Sequence, residues 1–288
     1  MNIISLFGRK SLKSAWTFAP SGTIWRLLAS ESGELIGECR DEEKKLVSFF
    51  ALQGESGKVL WQNLVLDEKW WTGIEEISGG VILLHGFSSP DLPGHQGIIA
   101  VDLMTGERLW TSPDFTYWFV HENSVIAHRS LFEKRLFYEL NLRSGAMVRE
   151  FDPDSESMLL QLRGESLLRN KSSLEFPEAV DIHSIDLRTA KGLKKQLPLS
   201  DIQGTLEGLL VGTYGIFDYH LHSAQSVTDT FMFDNHLKII DLKTGTVIYF
   251  DVLSQGTKAP VPDSFFVKAN VVFYIKDRKT LTAVRLPA

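Results

Sequence analysis

Three short stretches of this chain carry side chains whose types and spacing could do chemistry. The first is Asp218-Tyr219-His220-Leu221-His222. On a strand, alternate residues share a face, so Asp218, His220 and His222 would project together. A carboxylate with two neutral imidazoles is a donor set that Zn²⁺ or Fe²⁺ accepts. These three are the candidate metal ligands, and a divalent metal is the one cofactor left open. The same pattern also fits a polar strand face whose histidines bond to their neighbours. Together with Tyr214 they form the candidate ligand- or partner-binding region. The longer stretch 222–230 that follows supports this, because insertions sit in loops and loops carry recognition.

The second stretch, 81–95, is an apolar run ending in His85-Gly86, followed by Asp91 and His95. Residues 81–84 read as a strand and 90–97 as a loop, with His85 and His95 as candidates for a binding face. An apolar strand running into His-Gly resembles the oxyanion-hole turn of the α/β-hydrolases. That family needs a Gly-x-Ser-x-Gly elbow at a strand-to-helix turn, and no such pentapeptide occurs in the chain. Alternating strand–helix units are missing as well, so the hydrolase reading is set aside. The third stretch, Gly54-Glu55-Ser56-Gly57-Lys58, imitates the end of a phosphate-binding loop. Leu52 and Val59 stand where that motif requires Gly and Ser or Thr, so it reads as a turn. The acidic run 152–156 lacks the Gly and distant Glu of a calcium loop and reads as a turn between units. Cys39 is the single cysteine, which rules out a disulfide within the chain and a thiolate metal cage. It reads as a small buried hydrophobe.

Repeats determine which elements must hold these residues. The segment 98–110 contains Asp102-Leu103-Met104-Thr105-Gly106-Glu107-Arg108-Leu109-Trp110. Related copies end on turns at Gly57, Gly145 and Gly245, with a degraded copy at 183–190. Each copy is a β-rich run, an Asp or Asn, a Thr-Gly or Ser-Gly turn, and a second β-rich run. This is hairpin chemistry: Asx side chains bond back to the turn backbone, and Gly supplies positive φ. The turns recur every ~40–55 residues, the spacing of a four-stranded propeller blade. Strands at 265–269, 271–276 and 280–286 leave a last blade one strand short. Residues 14–20 match the final strand of a repeat and are expected to complete it, hiding two open edges. The expectation is therefore all-β: one six-bladed β-propeller of four-stranded antiparallel blades spanning 1–288, with strand 14–20 completing the blade formed by 260–288.

The Asp-x-x-Thr-Gly-x-x-x-Trp motif resembles the repeat of the quinoprotein-like (PQQ-type) β-propeller superfamily. The resemblance covers most of the chain and implies architecture. An uncharacterised bacterial family built on this repeat is the expected kin. Trp16, Trp61 and Trp110 fall at equivalent positions and read as packing between blades. Trp25, Trp70, Trp71 and Trp118 fall near first strands, where one could face a ligand.

The composition limits the partners. The chain has 288 residues, 43% hydrophobic, with 30 Lys and Arg against 36 Asp and Glu. A net charge of −6 argues against a nucleic-acid partner, since phosphate neutralisation needs clustered cations. No run is long enough to span a bilayer, and residues 1–13 do not read as a signal peptide, so a cytoplasmic protein is expected. The leading function is a non-catalytic scaffold that binds a protein or small ligand through its loops or channel. The alternative is a metal- or cofactor-dependent propeller enzyme, a lactonase-like hydrolase or a quinoprotein-like oxidoreductase. A quinone is not expected, because the adjacent cysteines and secretory signal usual in those enzymes are missing.

Overall fold

The recurring turns close hairpins through bonds that their residue types dictate. Asp102 Oδ1 accepts from the backbone N–H of Met104 (3.0 Å) and of Thr105 (3.1 Å), and Gly106 adopts φ +74°. Asn141 accepts likewise from Arg143 and Ser144 ahead of Gly145. Asp241 does so from Lys243 and Thr244 ahead of Gly245. A left-handed backbone at the turn suits glycine, which has no Cβ to clash.

The computed structural model describes residues 11–89, 92–132, 134–169, 174–181, 193, 195–226 and 231–287. The degraded repeat at 183–190 and Asp91 lie outside these residues. The strands run in chain order as β1 (Trp16–Phe18), β2 (Thr23–Ala29), β3 (Glu34–Asp41), β4 (Leu46–Gln53), β5 (Val59–Leu64), β6 (Thr72–Ser78), β7 (Val81–Ser89) and β8 (Leu92–Asp102). Next come β9 (Arg108–Ser112), β10 (Thr116–His121), β11 (Ser124–Ser130), β12 (Arg135–Asn141) and β13 (Met147–Glu150). After a helix follow β14 (Glu178–Ala179), β15 (Gln203–Val211), β16 (Tyr214–His222), β17 (Phe233–Asp241), β18 (Thr246–Thr257), β19 (Phe265–Lys268), β20 (Val271–Lys276) and β21 (Thr280–Arg285).

The chain forms two compact units, Pro20–Ser173 and a second made of Met1–Ala19 with Leu174–Ala288. In the first unit, β2 to β5, β6 to β9 and β10 to β13 are three antiparallel meanders. One parallel pair, Thr116 with Gly97, joins the last two into an eight-stranded sheet. The meanders pack through alternate residues. Ile82 and Leu84 meet Ile36, Val47 and Phe49 on one face of the middle meander. Val81 and Leu83 meet Val120, Val125 and Leu140 on the other. Each such side chain, when fully buried, contributes roughly 1.5–3 kcal/mol. Trp61 and Trp110 tie successive meanders together. Trp61 Nε1 donates to the Leu103 carbonyl (2.8 Å) and Trp110 Nε1 to that of Leu142 (2.9 Å). Their rings lie against the turn glycines: a Cβ on Gly106 would come within 2.9 Å of Trp61, and one on Gly145 within 2.5 Å of Trp110.

In the second unit, β15 to β18 form a meander with β14 added at its edge. The strands β19, β20 and β21 form a sheet whose fourth member is β1, with Trp16 opposite Ala283 and Phe18 opposite Leu281. The N-terminal strand thus completes the sheet that the sequence leaves one strand short.

The fold is mostly β, and two expectations are corrected. The acidic run 152–156 is not a simple turn. Pro153–Ser155 is a 3₁₀ turn that leads into α1 (Glu156–Arg169). Leu159 is buried and Leu162 partly so, against Phe119, Phe137 and Phe151, and Ser166 donates to the Val120 carbonyl. The i, i+3, i+7 spacing of 159, 162 and 166 gives the helix one covered face. Residues 92–97 likewise belong to β8 rather than to a loop. The hairpin β7–β8 extends beyond its sheet, with Phe87 opposite His95 and Ser89 opposite Leu92. Among the described residues no helix is long and apolar enough to cross a membrane.

Candidate functional site

The extension of β7 and β8 brings His85 and His95 together. Their rings stack with centroids 3.6 Å apart and planes 8° from parallel. Phe87 stands edge-on to both. Glu75 of β6 supplies the third group: its Oε1 lies 2.6 Å from His95 Nδ1 and 3.2 Å from His85 Nδ1. The His95 contact is a hydrogen bond. The His85 contact is close enough for an ion pair but out of line for a hydrogen bond, and neither ring nitrogen of His85 has a hydrogen-bond partner among the described residues. His85 is 3% exposed, whereas the His95 side chain is 38% exposed. An unpartnered buried polar group costs about 1–3 kcal/mol, so its retention calls for a reason.

Glu75 reaches the imidazoles because β6 bulges there. The register against β7 shifts between Ile74 and Glu76, and the extra residue is Glu75. Bulges re-aim a side chain out of the regular alternation. A matching bulge occurs at Trp118 in β10, and β2 bulges at Trp25 in a different register. Burial pushes the Glu75 carboxyl up, but His85 and then His95 outweigh it and hold it below the usual carboxylate range.

His85 also belongs to a series. Counting from the residue opposite each hairpin anchor, the fifth residue of the second strand is Glu38, His85, His128 and Asp218 in four meanders. All four are buried. Glu38 accepts from the Ile74 N–H and pairs with Arg40 at 2.7 Å. A Cβ on Gly73 would sit 3.1 Å from His85 Nε2 and 3.2 Å from Glu38 Oε2, so both groups face the room that this glycine leaves. In the neighbouring strand, Tyr117 donates to the Glu76 carboxylate, and burial, then Glu76, raises its pKa.

His95 opens onto a cleft of about 580 Å³, lined also by Gln96, Asp114, Thr116, Arg129 and Ser130. The Arg129 guanidinium lies 4.4 Å over Phe115 and 3.4 Å from Asp114. Cys39 is no nucleophile here: burial and then Glu38 push its thiol up to about 12.

The residues named at 214–222 all lie on β16. Tyr214 is partly buried against the core of its unit. Asp218 and His220 share a face of β16 but are 1% and 3% exposed. His220 Nε2 accepts from the Val261 N–H (3.0 Å), and burial, then His236, lowers its pKa. Burial pushes the Asp218 carboxyl up to about 7, opposed by a hydrogen bond with Ser264 and aided by the charge of Glu207. His222 is exposed beside Phe231 and Phe233. Among the described residues, Glu75, His85 and His95 alone form a trio of such groups with ligand atoms within 4.8 Å of one another. A second cleft of about 580 Å³ lies along the opposite face of β16, lined by Tyr219, His236, Lys238 and Phe250. Of the exposed-strand tryptophans, Trp25 is 55% exposed with Arg40 over its ring, and Trp118 is covered by Arg163.

The family described as "Domain of unknown function (DUF4905)" matches residues 28–110, the span that holds Glu75, His85 and His95. No curated protein matches the chain. Among solved structures, a europium-containing methanol dehydrogenase is similar at 12% identity and TM-score 0.32, covering 93% of this chain. The chain spans 52% of the length of that protein. The Dos1 propeller is similar at 10% identity and TM-score 0.31, covering 93% of this chain and 69% of its own. The β-propeller domain of the Trilobed protease from Pyrococcus furiosus is similar at 10% and 0.30, covering 90% and 64%.

Proposed function

We propose that this chain is a non-catalytic, cytoplasmic β-propeller that binds a small polar ligand in the cleft beside His95. In this reading 1–288 is one domain of six blades. The pairing of β1 with β21 completes its last blade, and the turn spacing supports the blade count.

The cleft itself carries the functional reading. It presents two polar side chains, His95 and Arg129, that are each oriented by partners. Glu75 holds the first at 2.6 Å, and the Phe115 ring at 4.4 Å and Asp114 at 3.4 Å hold the second. Pre-positioned donors with an adaptable polar rim suit a ligand bearing a carboxylate or phosphate, since orientation has been fixed before binding. Saturation-transfer NMR with small carboxylates, phosphates and neutral sugars tests this on the wild type and Arg129→Ala. Anionic probes should bind the wild type and weaken at least tenfold in the variant. Equal binding of neutral and anionic probes, or no effect of the substitution, would discard the reading.

A further inference from the structure

We propose that Glu75, His85 and His95 bind a divalent transition metal of the Zn²⁺ class. The inference goes beyond ligand capture in the cleft and is read by a separate titration.

The donor set comes first. Two imidazoles and a carboxylate suit Zn²⁺, Co²⁺ or Ni²⁺, whereas Ca²⁺ and Mg²⁺ prefer all-oxygen sites. Spacing comes second. In a tetrahedral site with bonds of about 2.0–2.1 Å, neighbouring ligand atoms are about 3.3–3.4 Å apart. Glu75 Oε1 and His85 Nδ1 are already 3.2 Å apart. Their misalignment as a hydrogen bond is what two lone pairs aimed at a third atom would produce. The third observation is the buried His85 ring, which finds no hydrogen-bond partner among the described residues. With Nδ1 on a metal, Nε2 carries the proton, on the side where Gly73 leaves room.

His95 must move for this to happen. With planes up to 3.6 Å apart, an ion midway between them would lie about 1.8 Å out of each ring plane, while lone pairs point in-plane. At bonds of about 2 Å that is roughly 60° off axis, too far for coordination. His85 is locked by burial. His95 is partly exposed, so it is the arm that tilts, giving up its 2.6 Å bond to Glu75 and unstacking from His85. Three protein ligands then leave a position open for water or for a group of the bound molecule.

The test is calorimetric titration of ZnCl₂ into the full chain, with the Co²⁺ visible spectrum as a second readout. Wild type should take one Zn²⁺ per chain at micromolar Kd or tighter. His95→Ala changes a partly exposed side chain and Glu75→Gln is isosteric; each should weaken Zn²⁺ at least tenfold with the near-ultraviolet circular dichroism intact. His220→Ala with His222→Ala should leave the titration unchanged. Absence of stoichiometric uptake by the wild type would overturn the proposal, as would equal titrations of wild type, His95→Ala and Glu75→Gln. Loss of uptake in the His220/His222 variant alone would also overturn it. The anionic-probe measurement repeated in EDTA separates the two readings: probe binding that survives in EDTA leaves ligand capture standing whatever the Zn²⁺ titration gives.

Discussion

Replacing Asp218 with Asn should make the protein more stable at pH 8 and change it far less at pH 4.5. Asp218 is 1% exposed, and burial pushes its carboxyl from 3.8 up to about 7. An unfolded chain releases that proton near pH ~4. Between those values the folded protein keeps a proton that the unfolded chain has given up. The unfolded state binds fewer protons, so stability falls as pH rises. Below pH ~4 the group makes no difference, and above pH ~7 its full penalty is present. One pKa unit is worth about 1.4 kcal/mol, so the whole window amounts to roughly 4 kcal/mol. Asn has the shape of the neutral acid and does not titrate. Any fixed cost of the substitution cancels when the difference between variant and wild type is compared at two pH values. That difference should shift by about 3 kcal/mol towards the variant from pH 4.5 to pH 8. Urea denaturation followed by tryptophan fluorescence at both pH values measures it. A difference constant to within about 0.5 kcal/mol would refute the reasoning, because a carboxylate ionised throughout the folded state gives that result.

Three further outcomes are expected. Gly145→Ala should cost about 2–4 kcal/mol in a urea melt, adding overpacking against Trp110 to the strain of positive φ. Gly245→Ala has the same strain at φ +65° but no atom within 4 Å of the new Cβ, and should cost about 1–2 kcal/mol; equal costs would show that the tryptophan contact is irrelevant. Cys39, 1% exposed with its thiol pushed up to about 12, should resist a thiol-specific dye at pH 8 until urea unfolds the chain, and rapid native labelling would contradict that environment. Deleting residues 1–20 removes β1 from β21 and should lower the melting temperature or cause aggregation; an unchanged melt would mean that this pairing contributes nothing.

What could be read from the chain was local. Asp102, Thr105 and Gly106 announce their hairpin because the bonds that make its turn lie between residues 102 and 107. The strand 14–20 was legible because it repeats the Trp-containing end of other units. Glu75 was not, because it faces His85 only through a bulge, and a bulge is a property of pairing rather than of one strand. The bulge tryptophans 25 and 118 drew notice for their size while the carboxylate at position 75 did not. A count from each hairpin anchor would have found the series Glu38, His85, His128 and Asp218. His85 and His95 were named, but as loop residues, since 90–97 read as the loop between two strands. Their stacking depends on two register shifts in β7–β8 that no composition reveals. The helix α1 was missed because its covered face is short and Gly164 interrupts it.

The contacts of Trp61 with Gly106 and of Trp110 with Gly145 point one way along the chain. In each, the ring belongs to the earlier segment and the glycine to the later. During synthesis, the indole of Trp61 leaves the ribosome ~45 residues before the turn that will cover it, which at 5–20 residues per second is a wait of a few seconds. A newly made meander therefore cannot finish its own packing and stays adhesive towards whatever emerges next. Translation order thus sets how long that indole waits uncovered, and a pause between residues 61 and 106 lengthens the interval.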